Sequence, residues 1–309
     1  MRIYVAGLGG MVGSAIAHES RLMGHAVLGK SSKDLDFTRR DQVFAEFEST
    51  RPEILVVAAA KVGGIRANSA YPVEFLSVNL QIQTNIIDAA HEVGIQKLLF
   101  LGSSCVYPKY AEQPIQESSL LSGGLEPTNE PYAIAKIAGL KLVEAYSRQY
   151  GHNWISVMPT NLYGPKDNFN LETAHVLPAL INRFHTARVK QIGKVEIWGD
   201  GTPRREFLHV QDLARACMLL LDEYHESSPI NIGSGQELNI RELAILISKV
   251  VGYKGEIVFN PNLPNGTPQK LLNSERLHAL GWRPKIELED GIDSTYKWFL
   301  KSIASEVKI

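Results

Sequence analysis

Short apolar runs alternate with amphipathic stretches through the first half of the sequence, and this alternation limits the possible folds more than any other feature. The run RIYVA at residues 2–6 precedes a helical pattern at 11–23, and the same alternation continues as far as WISVMP at 154–159. Strands separated by helix-length connections pair in parallel, because such connections are too long for hairpins. We therefore predict an α/β fold with a doubly wound parallel sheet.

The rhythm of the sequence changes after residue 164, where glycine, proline and asparagine cluster and longer irregular stretches begin. We predict that residues 1–164 form the large parallel-sheet domain and that an amphipathic helix within 206–224 returns to it. Residues 165–205 and 225–309 are expected to form a smaller α/β domain. A cleft between the two domains would hold a substrate.

The composition excludes several classes of protein. A chain of 309 residues with a formal net charge of -1 has no broad basic surface for nucleic acid, so any anion site must be local. Cys105 and Cys217 provide neither a disulfide framework nor a zinc-ligand spacing, and no apolar run approaches a membrane span. We expect a cytoplasmic protein that binds neither nucleic acid nor a membrane.

A glycine-rich turn follows the first predicted strand and opens the first predicted helix. In this position glycines allow a tight turn and let the backbone approach a pyrophosphate, which is typical of a Rossmann dinucleotide site. The predicted cofactor contacts in this turn are Gly7, Leu8, Gly9, Gly10, Met11, Val12 and Gly13.

The second predicted strand ends in LGKSSK at residues 28–33, with no acidic residue to bind the ribose hydroxyls of NAD. The lysines found there, Lys30 above all, would attract a 2′-phosphate, which favours NADP(H) as the cofactor. A solvated basic loop is the alternative interpretation, since exposed lysines need no special role.

Tyr132 and Lys136 lie four residues apart in YAIAK and therefore share one face of a predicted helix. A neighbouring ammonium favours the phenolate, which would lower the pKa of Tyr132 and ease proton exchange with a carbonyl or an alcohol. Ser103, at the end of the strand KLLFLGS, would hold the same oxygen, and in an extended chain Cys105 points to the same side as Ser103. An ordinary helical pair and a small buried thiol are the alternatives.

These motifs, together with NLYGP at residues 161–165, resemble those of the extended short-chain dehydrogenase/reductase family. The longer runs AAAKVGGI, LGSSCVYP, EPTNEPYAIAKIAG and WGDGTPRREFLHV resemble members of that family that epimerise and reduce GDP-linked 4-keto sugars, and the resemblance extends over nearly the whole chain. It implies a bifunctional epimerase and oxidoreductase with NADP(H) as its cofactor and a GDP-sugar as its substrate. It also implies a homodimer, joined through the helices near 74–93 and 132–150.

The resemblance implies a role for each residue of the site. Cys105 is expected to be the base and His175 the acid that invert the carbons beside the carbonyl, while Ser103, Tyr132 and Lys136 are expected to serve the reduction. Further cofactor contacts are expected from Leu101, Gly102, Ser103, Ser104, Lys136, Pro159, Thr160, Asn161, Leu162 and His175. Substrate contacts are expected from Arg183, Trp198, Arg205, Asn265 and Lys270.

Two positions depart from the family pattern. Gly9 stands where members often carry a basic residue for the 2′-phosphate, and Asn265 stands where an aspartate is common. Another nucleotide-sugar epimerase or reductase of the same fold is the first alternative function, although a 4-epimerase needs no cysteine–histidine pair. A non-catalytic regulator that senses NADP is the second, and the presence of both Tyr132 and Lys136 argues against it.

Overall fold

The computed structural model describes residues 1–263 and 265–306. Its larger sheet contains six strands that all run parallel, as the alternating pattern predicts. The strands are β1 (Arg2–Ala6), β2 (Ala26–Leu28), β3 (Ile54–Val57), β4 (Lys97–Leu101), β5 (Asn153–Pro159) and β9 (Ile230–Ile232). Their order in the sheet is β2-β1-β3-β4-β5-β9.

Helices cover both faces of this sheet, and all of them except the short helix at residues 65–70 agree closely with the predicted periodicity. They are α1 (Met11–Leu22), α2 (Arg40–Thr50), α3 (Ile65–Ala70), α4 (Pro72–Glu92), α5 (Glu130–Tyr150) and α7 (Val210–Glu223). Two separate apolar layers result, one around Val56 and Leu213 and the other around Leu55 and Ile86. Because the strands are buried on both faces, a strand such as β3 reads as the continuous apolar run ILVV.

The strand order reverses at β1, which lies between β2 and β3. In doubly wound sheets the crevice for a ligand opens at the carboxyl ends of the strands where the order reverses. The glycine turn at residues 7–13 joins the end of β1 to the start of α1 and lies at this point. The fold thus brings the predicted dinucleotide motif to the position where such folds bind dinucleotides.

A smaller second part is built around the strand β8 (Arg204–His209). β8 pairs with β6 (Asn161–Tyr163), β10 (Glu237–Asn239) and β12 (Gln269–Lys270), while β7 (Lys194–Trp198) pairs with β11 (Glu256–Asn260). The remaining helices are α6 (Val176–Val189), α8 (Ile240–Val251), α9 (Glu275–Ala279) and α10 (Leu288–Glu306). A third apolar cluster, which includes Phe184, Leu243 and Tyr296, forms the core of this part.

The border between the two parts differs from the predicted boundaries at two points. β9 pairs with β5 in the larger sheet, although the sequence assigns residues 225–309 to the smaller domain. Residues 204–209 form β8 in the smaller part, whereas α7, which follows directly, packs against α1. A run of three buried residues such as β9 fits either sheet, so its partner cannot be read from the sequence. We propose a division in which α7 and β9 both belong to the larger domain.

Glu206 in β8 is completely buried and connects several segments. Its Oε1 accepts the Gly235 amide at 2.7 Å and its Oε2 accepts the Leu272 amide at 3.0 Å. Its backbone carbonyl accepts the Thr160 hydroxyl at 3.2 Å and the Asn161 side-chain amide at 2.8 Å. Burial raises the pKa of the carboxyl, and the backbone amides oppose that rise. The polar atoms of Glu206 are thus engaged in holding the fold together.

His209, at the end of β8, makes the stability of the fold depend on pH. The residue is 3% exposed, its Nδ1 accepts the Gln211 amide at 3.3 Å, and burial lowers its pKa to about 4. An unfolded histidine binds a proton near pH 6.5, so the unfolded state takes up a proton between pH 6.5 and pH 4 while the native state does not. The native state therefore loses stability as the pH falls through this window, by about 2 kcal/mol at pH 5.

We expect the His209→Asn variant to lose much of this pH dependence, because asparagine keeps a capping acceptor for α7 but does not titrate. The measurement is the urea midpoint of wild type and variant at pH 8 and pH 5. The exposed His18, in α1, provides the control substitution His18→Asn. An equal fall in the midpoint for wild type and His209→Asn would contradict the prediction.

Candidate active site

The residues that follow β4 lie at the carboxyl edge of the larger sheet. β4 ends at Leu101, the Gly102 amide still donates to β5 at 2.8 Å, and Ser103 is extended. Residues 104–106 then form a single turn of 3₁₀ helix, capped by the Ser103 Oγ, which accepts the Cys105 amide at 3.2 Å. The prediction of an extended chain through Cys105 is therefore wrong, and this turn sets the direction of the thiol.

Lys136 connects α5 to the end of β4. Its Nζ donates to the Leu101 carbonyl at 2.7 Å and lies 4.8 Å from the centre of the Phe100 ring. The side chain is buried, and burial lowers its pKa to about 8. Tyr132 lies one turn earlier on the same helical face, with its ring centre 6.0 Å from Nζ.

Tyr132 lies beside both Ser103 and Cys105. Burial raises the pKa of the Tyr132 phenol, negative charge on Cys105 raises it further, and a hydrogen bond with Ser103 lowers it. The prediction of a lowered pKa is wrong for the protein alone, because removal of the phenol from water outweighs the hydrogen bond. Tyr132 is therefore protonated at neutral pH and can donate a hydrogen bond to an oxygen of a bound molecule.

The sulfur of Cys105 lies among hydrogen-bond donors. The Asn129 side-chain amide donates to Sγ at 3.3 Å, and Lys270 Nζ lies 3.8 Å from Sγ. His175 immediately precedes α6 and is exposed. Partial desolvation by neighbouring protein atoms and the positive charge of Lys270 lower the pKa of His175. The same ammonium group therefore lies near both of the residues predicted to transfer protons.

The glycine turn is tightly packed at Gly7 and Gly13 and open at Gly9. A Cβ atom on Gly13 would collide with the Gly7 carbonyl oxygen, and Gly7 has a φ of +90° that favours glycine. A Cβ atom on Gly9 would meet nothing within 4 Å, and the Gly10 amide donates to the Gly7 carbonyl at 3.0 Å. The half-buried apolar side chains of the turn are Leu8, Met11 and Val12. The open side of this turn fits the diphosphate of a dinucleotide.

Lys30, the residue predicted to meet a 2′-phosphate, is paired with a carboxylate. Its Nζ lies 2.5 Å from Glu46 Oε2, and the Tyr4 hydroxyl donates to Glu46 Oε1 at 3.3 Å. Glu46 is buried in α2, whereas the Lys30 side chain is half-exposed. A phosphate bound at this position would therefore share the Lys30 ammonium with Glu46.

The segment after β5, predicted to contact the nicotinamide, is fixed between the two parts. Pro159 ends β5, and the Thr160 amide donates to the Ile232 carbonyl at 3.0 Å. The hydrogen bonds of Thr160 and Asn161 to Glu206 hold the segment against β8. Its backbone is therefore held in one position by both sheets.

A second group of predicted residues lies in the smaller part. Burial lowers the pKa of the Arg205 guanidinium to about 10, and its Nη1 donates to the Arg204 carbonyl at 2.8 Å. Arg183 in α6 donates to the Glu196 carbonyl at 3.1 Å. Trp198, the last residue of β7, is half-buried. This group provides two guanidinium groups and an aromatic ring.

Two predicted contacts are engaged with the protein itself. Asn265 Oδ1 accepts the Asp200 amide at 3.0 Å and so fastens the loop before β12 to the turn after β7. Ser104 is 3% exposed within the 3₁₀ turn. The hydrogen bond of Asn265 to Asp200 and the burial of Ser104 give both residues a structural role.

Three residues of the site are absent from the sequence-based prediction. Asn129, which contacts Cys105, lies within the run EPTNEPYAIAKIAG, so that run contained a signal for it. Glu46 and Arg66 lie in no motif. The Arg66 guanidinium lies 5.2 Å from the centre of the Trp198 ring, a contact between segments that are far apart in the sequence.

The geometry suits proton transfer next to a carbonyl group. Ser103 and Tyr132 can hold an oxygen, and Cys105 and His175 can exchange protons with neighbouring carbons. The guanidinium groups of the smaller part can hold the anionic end of the same molecule. The glycine turn follows β1 at the same carboxyl edge of the larger sheet as the segment after β4, and it can hold a dinucleotide there.

The sequence of residues 3–233 matches the model of the NAD dependent epimerase/dehydratase family, and the chain belongs to this family. It is similar to GDP-L-fucose synthase 1 of Arabidopsis thaliana, with 55% identity over 305 residues that cover 98% of this chain and 94% of the relative. It is also similar to GDP-L-fucose synthase of Escherichia coli K12, with 53% identity over 311 residues that cover 97% of each chain. A solved structure of a GDP-L-fucose synthetase from Naegleria fowleri bound to NADP has a TM-score of 0.90 to this chain, at 28% identity, and the match covers 98% of this chain and 95% of that one.

Residues 1–263 and 265–306 contain neither a candidate membrane-spanning helix nor a candidate metal cluster. No helix in these ranges combines the length and the apolar character needed to cross a bilayer. The same residues include no group of three or more histidine, cysteine, aspartate or glutamate side chains that could hold a metal ion.

We expect the Gly13→Ala variant to bind NADPH at least about tenfold more weakly, because the added methyl group collides with the Gly7 carbonyl and opens the turn. The measurement is a fluorescence titration with NADPH. Gly193→Ala is the matched control, since a Cβ atom on Gly193 would meet nothing within 4 Å. An unchanged Kd for Gly13→Ala would show that the turn is not the cofactor site.

Proposed function

We propose that the protein is a GDP-L-fucose synthase, which converts GDP-4-keto-6-deoxy-D-mannose into GDP-L-fucose with NADP(H) as its cofactor. The observation that carries the proposal is the position of Cys105, which lies beside Ser103 and Tyr132 and 3.8 Å from Lys270 Nζ. A 4-epimerase that only borrows a hydride needs no such thiol. Similarity to two synthases over nearly the whole chain supports the substrate, and the NADP-bound relative supports the cofactor.

The reaction requires inversion at C3 and C5, the two carbons beside the C4 carbonyl, followed by reduction of C4. In the proposed mechanism the Cys105 thiolate removes the proton from the carbon, and the electrons of the broken C–H bond pass to the C4 oxygen as an enolate. His175 then donates a proton to the opposite face of the same carbon. Asn129 and Lys270 stabilise the negative sulfur before it accepts the proton.

Ser103 and Tyr132 hold the C4 oxygen in all of these steps. Because burial raises the pKa of Tyr132, the phenol retains its proton and donates a hydrogen bond to the enolate oxygen. The hydride that reduces C4 would come from NADPH bound at the glycine turn. Tyr132 then protonates the alkoxide, and the nearby ammonium of Lys136 stabilises the phenolate that is left. One pair of donors thus serves the epimerisation and the reduction.

The anionic part of the substrate is proposed to bind in the smaller part of the fold. Arg205 and Arg183 provide guanidinium groups for the diphosphate, and Trp198 provides an aromatic surface. Arg205 also lies close enough to Cys105 for the two charges to interact. A molecule held at its diphosphate by Arg205 would therefore have its sugar next to the thiol.

The test is a reaction of the purified protein with GDP-4-keto-6-deoxy-D-mannose and NADPH in D₂O, with the product identified by NMR. We expect GDP-L-fucose that carries deuterium at C3 and C5. The Cys105→Ser variant should exchange these protons about 100-fold more slowly, since a serine hydroxyl is a far weaker acid than a thiol and provides little anionic base. Tyr132→Phe should suppress reduction more strongly than exchange.

Cys217, which is buried in α7, supplies the matched control Cys217→Ser for loss of a thiol. If Cys105→Ser exchanged these protons at the wild-type rate, Cys105 would be excluded as the base, but the proposed overall reaction would still stand. A product other than GDP-L-fucose from the wild-type protein would overturn the proposed function.

We further propose a cytoplasmic homodimer in which the outer faces of α4 and α5 pack against those of a second copy. The two helices pack side by side, and apolar residues near their starts are exposed: Val73 is 74% exposed and Ile134 is 43% exposed. The two cysteines of the chain are both free thiols, which suits a reducing compartment. Covering these apolar side chains would stabilise the dimer.

Light scattering should therefore give about twice the 34.2 kDa chain mass for the wild-type protein. The double variant Val73→Lys with Ile134→Lys should give the mass of a single chain, because two ammonium groups cannot be buried without partners. Ile245→Lys changes a comparably exposed residue in α8 and should leave the mass unchanged. A wild-type mass of one chain would contradict the dimer.

A further inference from the structure

Arg66 is an exposed residue of α3 that lies above an aromatic ring of the smaller part. Its guanidinium carbon is 5.2 Å from the centre of the Trp198 ring. A guanidinium group over an indole face is attracted by the ring and keeps its N–H donors free at its edges. The contact therefore orients Arg66 without consuming its capacity to bind an anion.

The segment that carries Arg66 is fixed between two groups of site residues. On one side the Gly64 amide donates to the Thr173 carbonyl at 2.8 Å, close to His175 in the sequence. On the other side a Cβ atom on Gly266 would lie 3.4 Å from Ile65 Cδ1 and 3.4 Å from Arg205 Nη2. Ile65, the residue before Arg66, and Arg205 therefore both lie next to Gly266.

The arginines of this group have no ion-pair partner among the described residues. Arg183 donates to the Glu196 carbonyl in β7, and Arg66 lies over Trp198 at the end of the same strand. Burial and the positive charge of Arg66 lower the pKa of Arg183, and the negative charge of Glu196 opposes that change. Arg66 contacts a ring face, whereas Arg183 and Arg205 each donate to a backbone carbonyl. In the described parts of the chain, none of the three has a carboxylate at ion-pair distance. Arg204, their neighbour, is by contrast paired with Glu237 at 2.6 Å. Like charges held together in this way favour a bound anion.

We propose that Arg66 is a binding residue for the diphosphate of the sugar nucleotide, held in position by Trp198 and acting together with Arg183. This inference rests on the proposed function, which supplies the GDP-linked substrate. The diphosphate carries negative charge that two guanidinium groups can share through bidentate contacts. Because these contacts are remote from the reacting carbons, they bind substrate and transition state equally and affect KM more than kcat.

The experiment is calorimetric titration of the wild-type protein with GDP, followed by the variants Arg66→Ala and Arg66→Lys. We expect Arg66→Ala to raise the Kd for GDP about tenfold, as befits the loss of a charged hydrogen bond. Arg66→Lys should have an intermediate Kd, because lysine keeps the charge but not the planar group that stacks on Trp198. In turnover, Arg66→Ala should raise KM for the sugar nucleotide by a similar factor and leave kcat unchanged.

Arg21→Ala, at an exposed position in the last turn of α1, is the matched control and should leave the Kd unchanged. A wild-type Kd for GDP in both Arg66 variants would overturn the role of Arg66 while the proposed function stands. If the wild-type protein neither bound GDP nor formed GDP-L-fucose, the proposed function would fail as well. A fall in kcat at unchanged KM would assign Arg66 to the chemistry and equally contradict a binding role.

Discussion

The hydrogen bond between Lys136 Nζ and the Leu101 carbonyl fixes the geometry on which the rest of the site depends. It joins α5 to the last residue of β4 and buries an ammonium group between them. Tyr132, one turn earlier on the same face of α5, lies beside Ser103. The same burial lowers the pKa of Lys136, because removing an ammonium group from water costs free energy. This hydrogen bond therefore links α5 directly to the end of β4.

The charges of the protein divide the site into two regions with different properties. Around Cys105 the donors Asn129 and Lys270 surround an atom that would change its charge in the proposed proton transfer. Around Trp198 the cations are permanent, because a guanidinium group does not titrate in the physiological range. In the proposed mechanism the first region changes its charge with each chemical step, and the second holds the substrate with a constant charge.

Much of the fold could be predicted from the sequence, because apolar periodicity and glycine spacing act over short distances. The bounds of α1 and α5 and the position of the glycine turn follow from such local patterns. The 3₁₀ turn at Cys105 could not, since a single short turn leaves no periodicity. Contacts such as Arg66 with Trp198 depend on which segments meet in space, and no local pattern encodes that. The pKa of Tyr132 was likewise set by burial, which spacing alone does not reveal.

Glu206 couples the movement of β8 to the movement of the segments that hydrogen-bond to it. Its carboxylate anchors the segments at Gly235 and Leu272, and its carbonyl anchors the segment that includes Thr160 and Asn161. A displacement of β8 would therefore also displace the segment that includes Thr160 and Asn161. If the cofactor and the sugar nucleotide bind as proposed, Glu206 couples the position of one ligand to that of the other.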